Sequence, residues 1–270
     1  MNESKYSDLI AIIQKRRKWV IGLTIAAVLL VLLLTSPMQL EIMGESIIDY
    51  KGLHPVFIVL LVLLCFFVES IVYAMVSFPL YASMDQECDP EKHLVLNTHL
   101  NKQKNKDHIY AVDHWYLGNY QEALKYAEKM TKSSNEQMVL CGLFNKARCE
   151  FSLDNYDAFR FTVAEYESKL VNSQKLKPKV KIVYQKINTI LHLMLAIAED
   201  NTDKINALRN TVENWSTSKA TEGFVNYIKG ISAYKENDKE EAVYRFKLVK
   251  ENCSKTVIAT LSDEYLALLK

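Results

Sequence analysis

Four short segments between residues 119 and 242 each begin with Asn or Asp and carry a small or apolar residue four positions later. They are "NYQEA" at 119–123, "NYDAF" at 155–159, "DKINA" at 203–207 and "DKEEA" at 238–242. Asn and Asp favour tight turns and helix starts, because their side-chain oxygens accept hydrogen bonds from free backbone N–H groups. Each segment follows one helical pattern and opens another, which predicts a series of antiparallel helix pairs.

The first residues of these segments are 36, 48 and 35 positions apart. A period of about 34 residues with this turn chemistry is typical of the tetratricopeptide repeat. A small residue also lies seven positions before three of the turns, at Ala111, Ala147 and Gly230. The chain therefore resembles the tetratricopeptide-repeat family over roughly residues 104–252. Several positions depart from the family pattern, namely Phe159, Leu195, Lys204 and Lys239.

The resemblance implies an all-α fold with an α-solenoid of about four antiparallel helix pairs in residues 86–270. Only seven glycines and five prolines in the whole chain agree with a helical class. A last helix, predicted at 255–269, would cap the open end of the stack, because terminal repeats need covering. In this family the first helices of the pairs line a concave surface that binds a partner.

The candidate binding residues lie on the inner faces of these first helices. Arg148 is the only arginine or lysine among the matching inward positions, so the predicted groove is apolar and aromatic with histidines at its edges. Such a groove holds an amphipathic segment of a partner protein or is filled by the protein's own helices, and the sequence leaves both interpretations open. The predicted set is His108, Trp115, Phe144, Arg148, His192, Tyr227 and Tyr234.

Two long apolar segments in the first third of the chain predict a transmembrane hairpin. Residues 19–36 carry no charge, and residues 56–81 carry one. Lysines and arginines cluster in residues 1–18 and after the second segment, so the positive-inside rule predicts cytoplasmic termini and an extracytoplasmic loop at 37–55. A cleaved signal peptide is the rejected alternative, because the first apolar stretch is too long and no small-residue cleavage site follows it.

Glu69 is the one charged residue in the second apolar segment. A carboxylate at mid-membrane depth is costly, by about 2.5–3.5 kcal/mol on insertion scales. Three interpretations follow: a protonated, hydrogen-bonded side chain, a pair with another subunit, or a part in proton or ion movement. Glu69 is therefore the predicted membrane contact.

The sequence contains none of the common motifs for nucleotide binding, nucleophilic hydrolysis or zinc proteolysis, so no enzyme, cofactor or small-molecule substrate is predicted. A net charge of +1 disfavours nucleic acid as a partner. Cys88, Asp89, Glu91 and His93 resemble a set of metal ligands. A helix start at Asp89 and the following proline explains them without a metal ion.

Together these patterns predict a membrane-anchored scaffold or docking protein, whose cytoplasmic helical repeat binds a protein or peptide partner. The predicted partners are therefore a protein, in the cytoplasm or the membrane, and the lipid bilayer. The alternative is a small accessory subunit of a membrane transporter or envelope-assembly complex that acts through its transmembrane helices.

Overall fold

The computed structural model describes residues 3–35, 38–42, 45–50, 55–100, 106–215 and 217–270, and part of the side chains between 32 and 77 lies outside this description. Nearly all of the described structure is helical, which confirms the predicted helical class. The chain divides into two compact units, residues 2–79 and 80–270.

The N-terminal unit contains two long helices and a short hairpin. After a 3-10 turn come α1 (Ser7–Thr35), the strands β1 (Met38–Ile42) and β2 (Glu45–Tyr50), and most of α2 (Pro55–Asp85). The strands pair antiparallel, with Met38 opposite Tyr50 and an irregularity between Leu40 and Glu41. The segment predicted as a plain loop at 37–55 therefore contains β-structure, in keeping with the strand preference of its isoleucines.

The predicted membrane spans at 19–36 and 56–81 need correction. Within the part of the chain that the structure describes, no helix is both long and apolar enough to cross a membrane. On this finding the predicted two-span membrane localisation, with cytoplasmic termini, is wrong. The side chain of Glu69 lies outside the described residues.

The second unit is a sequence of helix pairs. The last turns of α2 lead into it, and each helix packs against its neighbour in sequence. Its helices are α3 (Pro90–Leu100), α4 (Asp107–Tyr116), α5 (Tyr120–Thr131), α6 (Glu136–Ser152), α7 (Tyr156–Val171), α8 (Pro178–Ala198), α9 (Thr202–Arg209), α10 (Lys219–Lys235), α11 (Lys239–Cys253) and α12 (Val257–Leu268).

One turn geometry joins the two helices of every pair. The second residue after the first helix has a positive φ, of 80° at Gly118, 55° at Asp154, 48° at Asp200 and 60° at Asn237. The next backbone N–H then bonds the carbonyl five residues back at 2.8–2.9 Å, as in the bond from the N–H of Asn119 to the carbonyl of His114. This helix-ending motif satisfies carbonyls that the helix leaves free, and it needs a residue that tolerates the left-handed conformation.

The third turn falls two residues earlier than its sequence pattern predicts. Asn201, and not Asp203, caps α9, and its side chain accepts a hydrogen bond from the N–H of Lys204 at 3.1 Å. Asp203 lies in the first turn of the helix, where a carboxylate is also favourable. Residues 200–203 have the sequence DNTD, four consecutive residues that can each cap a helix, so the pattern alone could not fix the register.

Small residues allow the helices of a pair to approach closely. Ala111, Ala147 and Ala123 are fully buried. At Gly230 an added Cβ would lie 2.7 Å from the ring of Phe246 on the paired helix α11, closer than carbon atoms can approach. These small residues of the sequence pattern lie at close contacts. Ala207 in the third segment does not, since it is exposed and Ile205 is buried instead.

The first and fourth pairs touch, so the stack closes on itself. The hydroxyl of Tyr116 donates to the carbonyl of Ala220 at 2.6 Å, and the thiols of Cys88 and Cys253 are 2.7 Å apart. Asp89 caps α3 through the N–H of Lys92. It also pairs with Lys255 at 2.7 Å, next to the start of α12. The connection into α12 thus meets the start of α3, and Val257 of α12 lies beside Gly118 of the first pair.

Replacing Ala123 with Leu is expected to overpack the contact between α5 and its neighbours. Ala123 is fully buried, and added methylene groups in a filled core typically cost about 1–3 kcal/mol. Urea denaturation of the full chain measures the change. Ala267→Leu is the control, because Ala267 is exposed on the terminal helix α12. Equal stability of both variants would show that Ala123 does not lie in a tight contact.

Asn237 tests the turn geometry. Its φ of 60° penalises a β-branched side chain by about 1–2 kcal/mol, so Asn237→Val should lower the free energy of unfolding by that amount. Asn237→Gly should leave it unchanged or raise it slightly, since glycine has no Cβ penalty. Lys247→Val, at an exposed position within α11, controls for the loss of polarity. A tolerated Val at 237 would contradict the left-handed turn.

Candidate functional site

Arg148 lies at the centre of the unit formed by residues 80–270. It sits on α6, the first helix of the second pair, whose inner face turns toward α4 and α8. Phe224 of α10 approaches its guanidinium. The side chain is only 3% exposed. A fully charged guanidinium in such a place is unusual, because arginine is almost never buried without a partner.

Four aromatic rings surround the guanidinium. Its central carbon lies 3.7 Å from the ring centre of Trp115, 4.4 Å from that of Phe224, 5.0 Å from that of Tyr116 and 5.3 Å from that of Phe144. The negative faces of aromatic rings attract a cation, and a desolvated contact of this kind contributes about 2 kcal/mol. The rings therefore stabilise the charge in part, and they bring together residues from α4, α6 and α10.

The guanidinium has no carboxylate partner among the described residues. Nε and Nη2 form no hydrogen bond, and Nη1 reaches the side-chain oxygen of Asn145, at 3.5 Å. A side-chain interaction with the Tyr116 hydroxyl partly opposes the lowering of the Arg148 pKa by burial. The nearest acid in sequence, Glu150, pairs with Lys146 at 3.5 Å. A buried cation without a counterion costs several kcal/mol, and the two free N–H groups add the penalty of unmade hydrogen bonds.

A cavity of about 370 Å³ lies beside Arg148. Its volume falls in the range of ligand pockets, about 300–1,000 Å³. Tyr81 and Asp85, both exposed, stand among its lining residues. The apolar part of its wall is formed by Val112, Phe144, Val183, Ile187, Trp215 and Phe224, and the polar part by His93, His108, Asn145, Tyr184, Ser218 and Thr221.

The titratable groups around the cavity leave Arg148 as its fixed positive charge. Burial lowers the pKa of the Arg148 guanidinium, but arginine remains protonated in proteins. Desolvation by the surrounding protein, and then the charge of Arg148, lower the pKa of His108, although that side chain is exposed at the rim. His93 contacts the buried carboxylate of Asp113 at 2.8 Å. Burial raises the pKa of that carboxyl, while His93 opposes the rise.

The structure brings together four of the seven residues that the sequence singles out as binding candidates. His108, Phe144 and Arg148 line the cavity, and Trp115 lies under the guanidinium. His192 lies elsewhere, half-exposed, with its ring 3.7 Å from Glu167.

The other two candidates pack against the end of the stack. The ring of Tyr227 lies 6.4 Å from that of Phe246, and the ring of Tyr234 lies 5.2 Å from that of Tyr265 on the terminal helix. Much of the predicted groove is therefore filled by the protein's own helices, and the open part is the cavity beside Arg148.

Several residues of the site have no signal in the repeat pattern. Trp215 lies outside the repeats, in the connection between α9 and α10, and its ring packs edge-on to Phe144 at 5.6 Å. Phe224 reaches Trp115 at 5.3 Å only because the fourth pair closes onto the first. The local pattern of each helix could indicate that these rings are buried, but not that they meet around one cation.

Comparison with protein-family models, with curated proteins and with solved structures finds no match. The site is therefore interpreted from its own geometry.

Arg148→Met is expected to leave the free energy of unfolding unchanged or to raise it, by up to about 2 kcal/mol. Methionine keeps much of the side-chain volume and removes a buried charge that lacks a partner. Chemical denaturation of the full chain measures the effect. The matched control is Arg245→Met, which should be destabilising, because Arg245 bonds Glu241 at 2.7 Å and Asn226 at 2.8 Å. A larger loss at 148 than at 245 would mean that Arg148 is needed for folding.

Proposed function

We propose that this protein is a docking module that binds a short apolar segment of a partner protein in the cavity beside Arg148. The observation that carries the proposal is the cavity itself. It lies on the inner faces of the first helices, where the repeat pattern predicts partner binding, and its walls are largely aliphatic and aromatic.

The dimensions of the cavity favour a few side chains over a whole helix. The inner faces elsewhere are filled, as Tyr227 and Ile231 illustrate by their burial. Contact between the first and fourth pairs closes the stack at Tyr116 and Ala220. A partner would therefore insert one or two apolar residues, while polar groups such as Thr221 and His108 meet its backbone at the rim.

The proposed function does not include the membrane-anchoring role that was predicted from the sequence. Both the membrane tether and the alternative of a transporter subunit depended on the two spans, and neither span is supported by the described helices. The proposed docking role depends only on residues 80–270.

Selection from a displayed library of random peptides on the immobilised full chain tests the proposal. Peptides with apolar cores should be enriched, and Thr221→Trp should weaken their binding at least about tenfold by filling the cavity. Thr189→Trp is the matched control, since Thr189 is a partly exposed threonine outside the cavity wall. No enrichment, or equal binding to both variants, would refute docking in this cavity.

A further inference from the structure

We infer that the cavity beside Arg148 is a site for a carboxylate carried on an apolar body, with the Arg148 guanidinium as its counterion. The inference deepens the proposed function and rests on it where the carboxylate belongs to a docked segment. A free organic acid would present the same chemistry. The inference rests on two N–H groups of Arg148 that have no hydrogen-bond acceptor.

The unpartnered atoms of Arg148 form one edge of the guanidinium. Nε and Nη2 project their N–H groups side by side in the plane of the group, and both lack an acceptor. Two parallel N–H donors match the two oxygens of a carboxylate, which is the bidentate pairing that arginine prefers. One carboxylate could therefore accept a hydrogen bond from each of the two unpaired atoms, Nε and Nη2.

The aromatic surroundings hold that edge in place. Stacking on Trp115 at 3.7 Å fixes the plane of the guanidinium, and Phe224 approaches within 4.4 Å. Rings that contact the faces of the group make no in-plane hydrogen bonds, so its two donors stay unpaired. Both donor atoms are buried, so a carboxylate reaches them only when the side chains around them shift. The protein thus positions a cation at a cavity wall before any ligand arrives.

The balance of charge at the cavity favours a single negative group. Arg148 is the fixed cation of the lining, and desolvation and then the charge of Arg148 lower the pKa of His108 beside it. His93 faces Asp113 at 2.8 Å. Asp85 is the acidic residue of the lining and is exposed, and it forms no ion pair with Arg148 in the described structure. The single fixed cation and its two unpaired donors match the one charge and the two oxygens of a carboxylate.

The apolar part of the cavity wall determines which kind of group can carry the carboxylate. Val183 and Ile187 on α8 and the rings of Phe144 and Trp215 offer apolar contact. A volume of about 370 Å³ accommodates an aromatic ring or a branched aliphatic group together with its carboxylate. The expected ligand is therefore a carboxylic acid that carries one or two aromatic or branched aliphatic groups.

Tryptophan fluorescence of the full chain tests the inference with phenylacetate and its neutral isostere phenylacetamide. A Trp19→Phe background confines the signal to Trp115 and Trp215, since the chain has three tryptophans. Phenylacetate should give a saturable change, with an affinity at least about tenfold above that of the amide. Arg148→Met should abolish the preference, and Arg148→Lys, which keeps the charge without the paired donors, should retain only part of it.

A second pair of probes distinguishes the two sources of the carboxylate. N-acetyl-Phe-Leu with a free carboxyl terminus is compared with its terminal amide. Tighter binding of the peptide acid than of phenylacetate would assign the carboxylate to a protein segment, and the reverse order would assign it to a free organic acid; both results support the site.

Other outcomes overturn the inference. Equal affinities of acid and amide, a preference that survives Arg148→Met, or no saturable change with any probe would each show that no carboxylate pairs with Arg148. Equal saturable binding would still agree with an apolar docking cavity. An acid preference without any peptide enriched by selection would instead refute the proposed docking function and leave the carboxylate site standing.

Discussion

The left-handed residue between the two helices of each pair is the constraint on which the rest of the structure depends. At Gly118, Asp154, Asp200 and Asn237 the chain adopts positive φ, and the following N–H bonds the carbonyl five residues back. This reversal sets the second helix antiparallel to the first. It also decides which face of each first helix turns inward, so the position of Arg148 on α6 follows from turns that are distant from the site.

These turns are also the part of the fold that can be predicted from the sequence. Gly, Asn and Asp are the residues that tolerate left-handed backbone and cap helices, so their chemistry is local and readable. The predicted position of the third turn was wrong for the same reason, since Asp200, Asn201 and Asp203 can each cap a helix. Closure of the stack could not be predicted, because the contact of Tyr116 with Ala220 joins residues 104 positions apart.

At the candidate site, too, the sequence indicates the local features of each helix but not the contacts between residues that are distant in the chain. The repeat pattern identifies Arg148 as the one fixed cation among the inward positions. It does not indicate whether a carboxylate lies nearby, because that depends on side chains from four helices. The membrane prediction failed differently. It used the length and apolarity of two segments with the distribution of lysines and arginines around them, and no described helix is both long and apolar enough to span a membrane.

The arrangement around Arg148 also bears on why a charge would be kept in the middle of a helical stack. An apolar residue would fill this place at no electrostatic cost, and the surrounding rings of Trp115, Phe144 and Phe224 would pack on it equally well. A solenoid of this kind needs close helix contacts, such as that of Gly230 with Phe246, but it does not need a buried cation. The buried charge therefore makes physical sense if Arg148 forms an ion pair with an anionic group of the proposed ligand. On that view the aromatic cage stabilises Arg148 enough to keep it buried, while its free edge keeps the cavity selective for an anion.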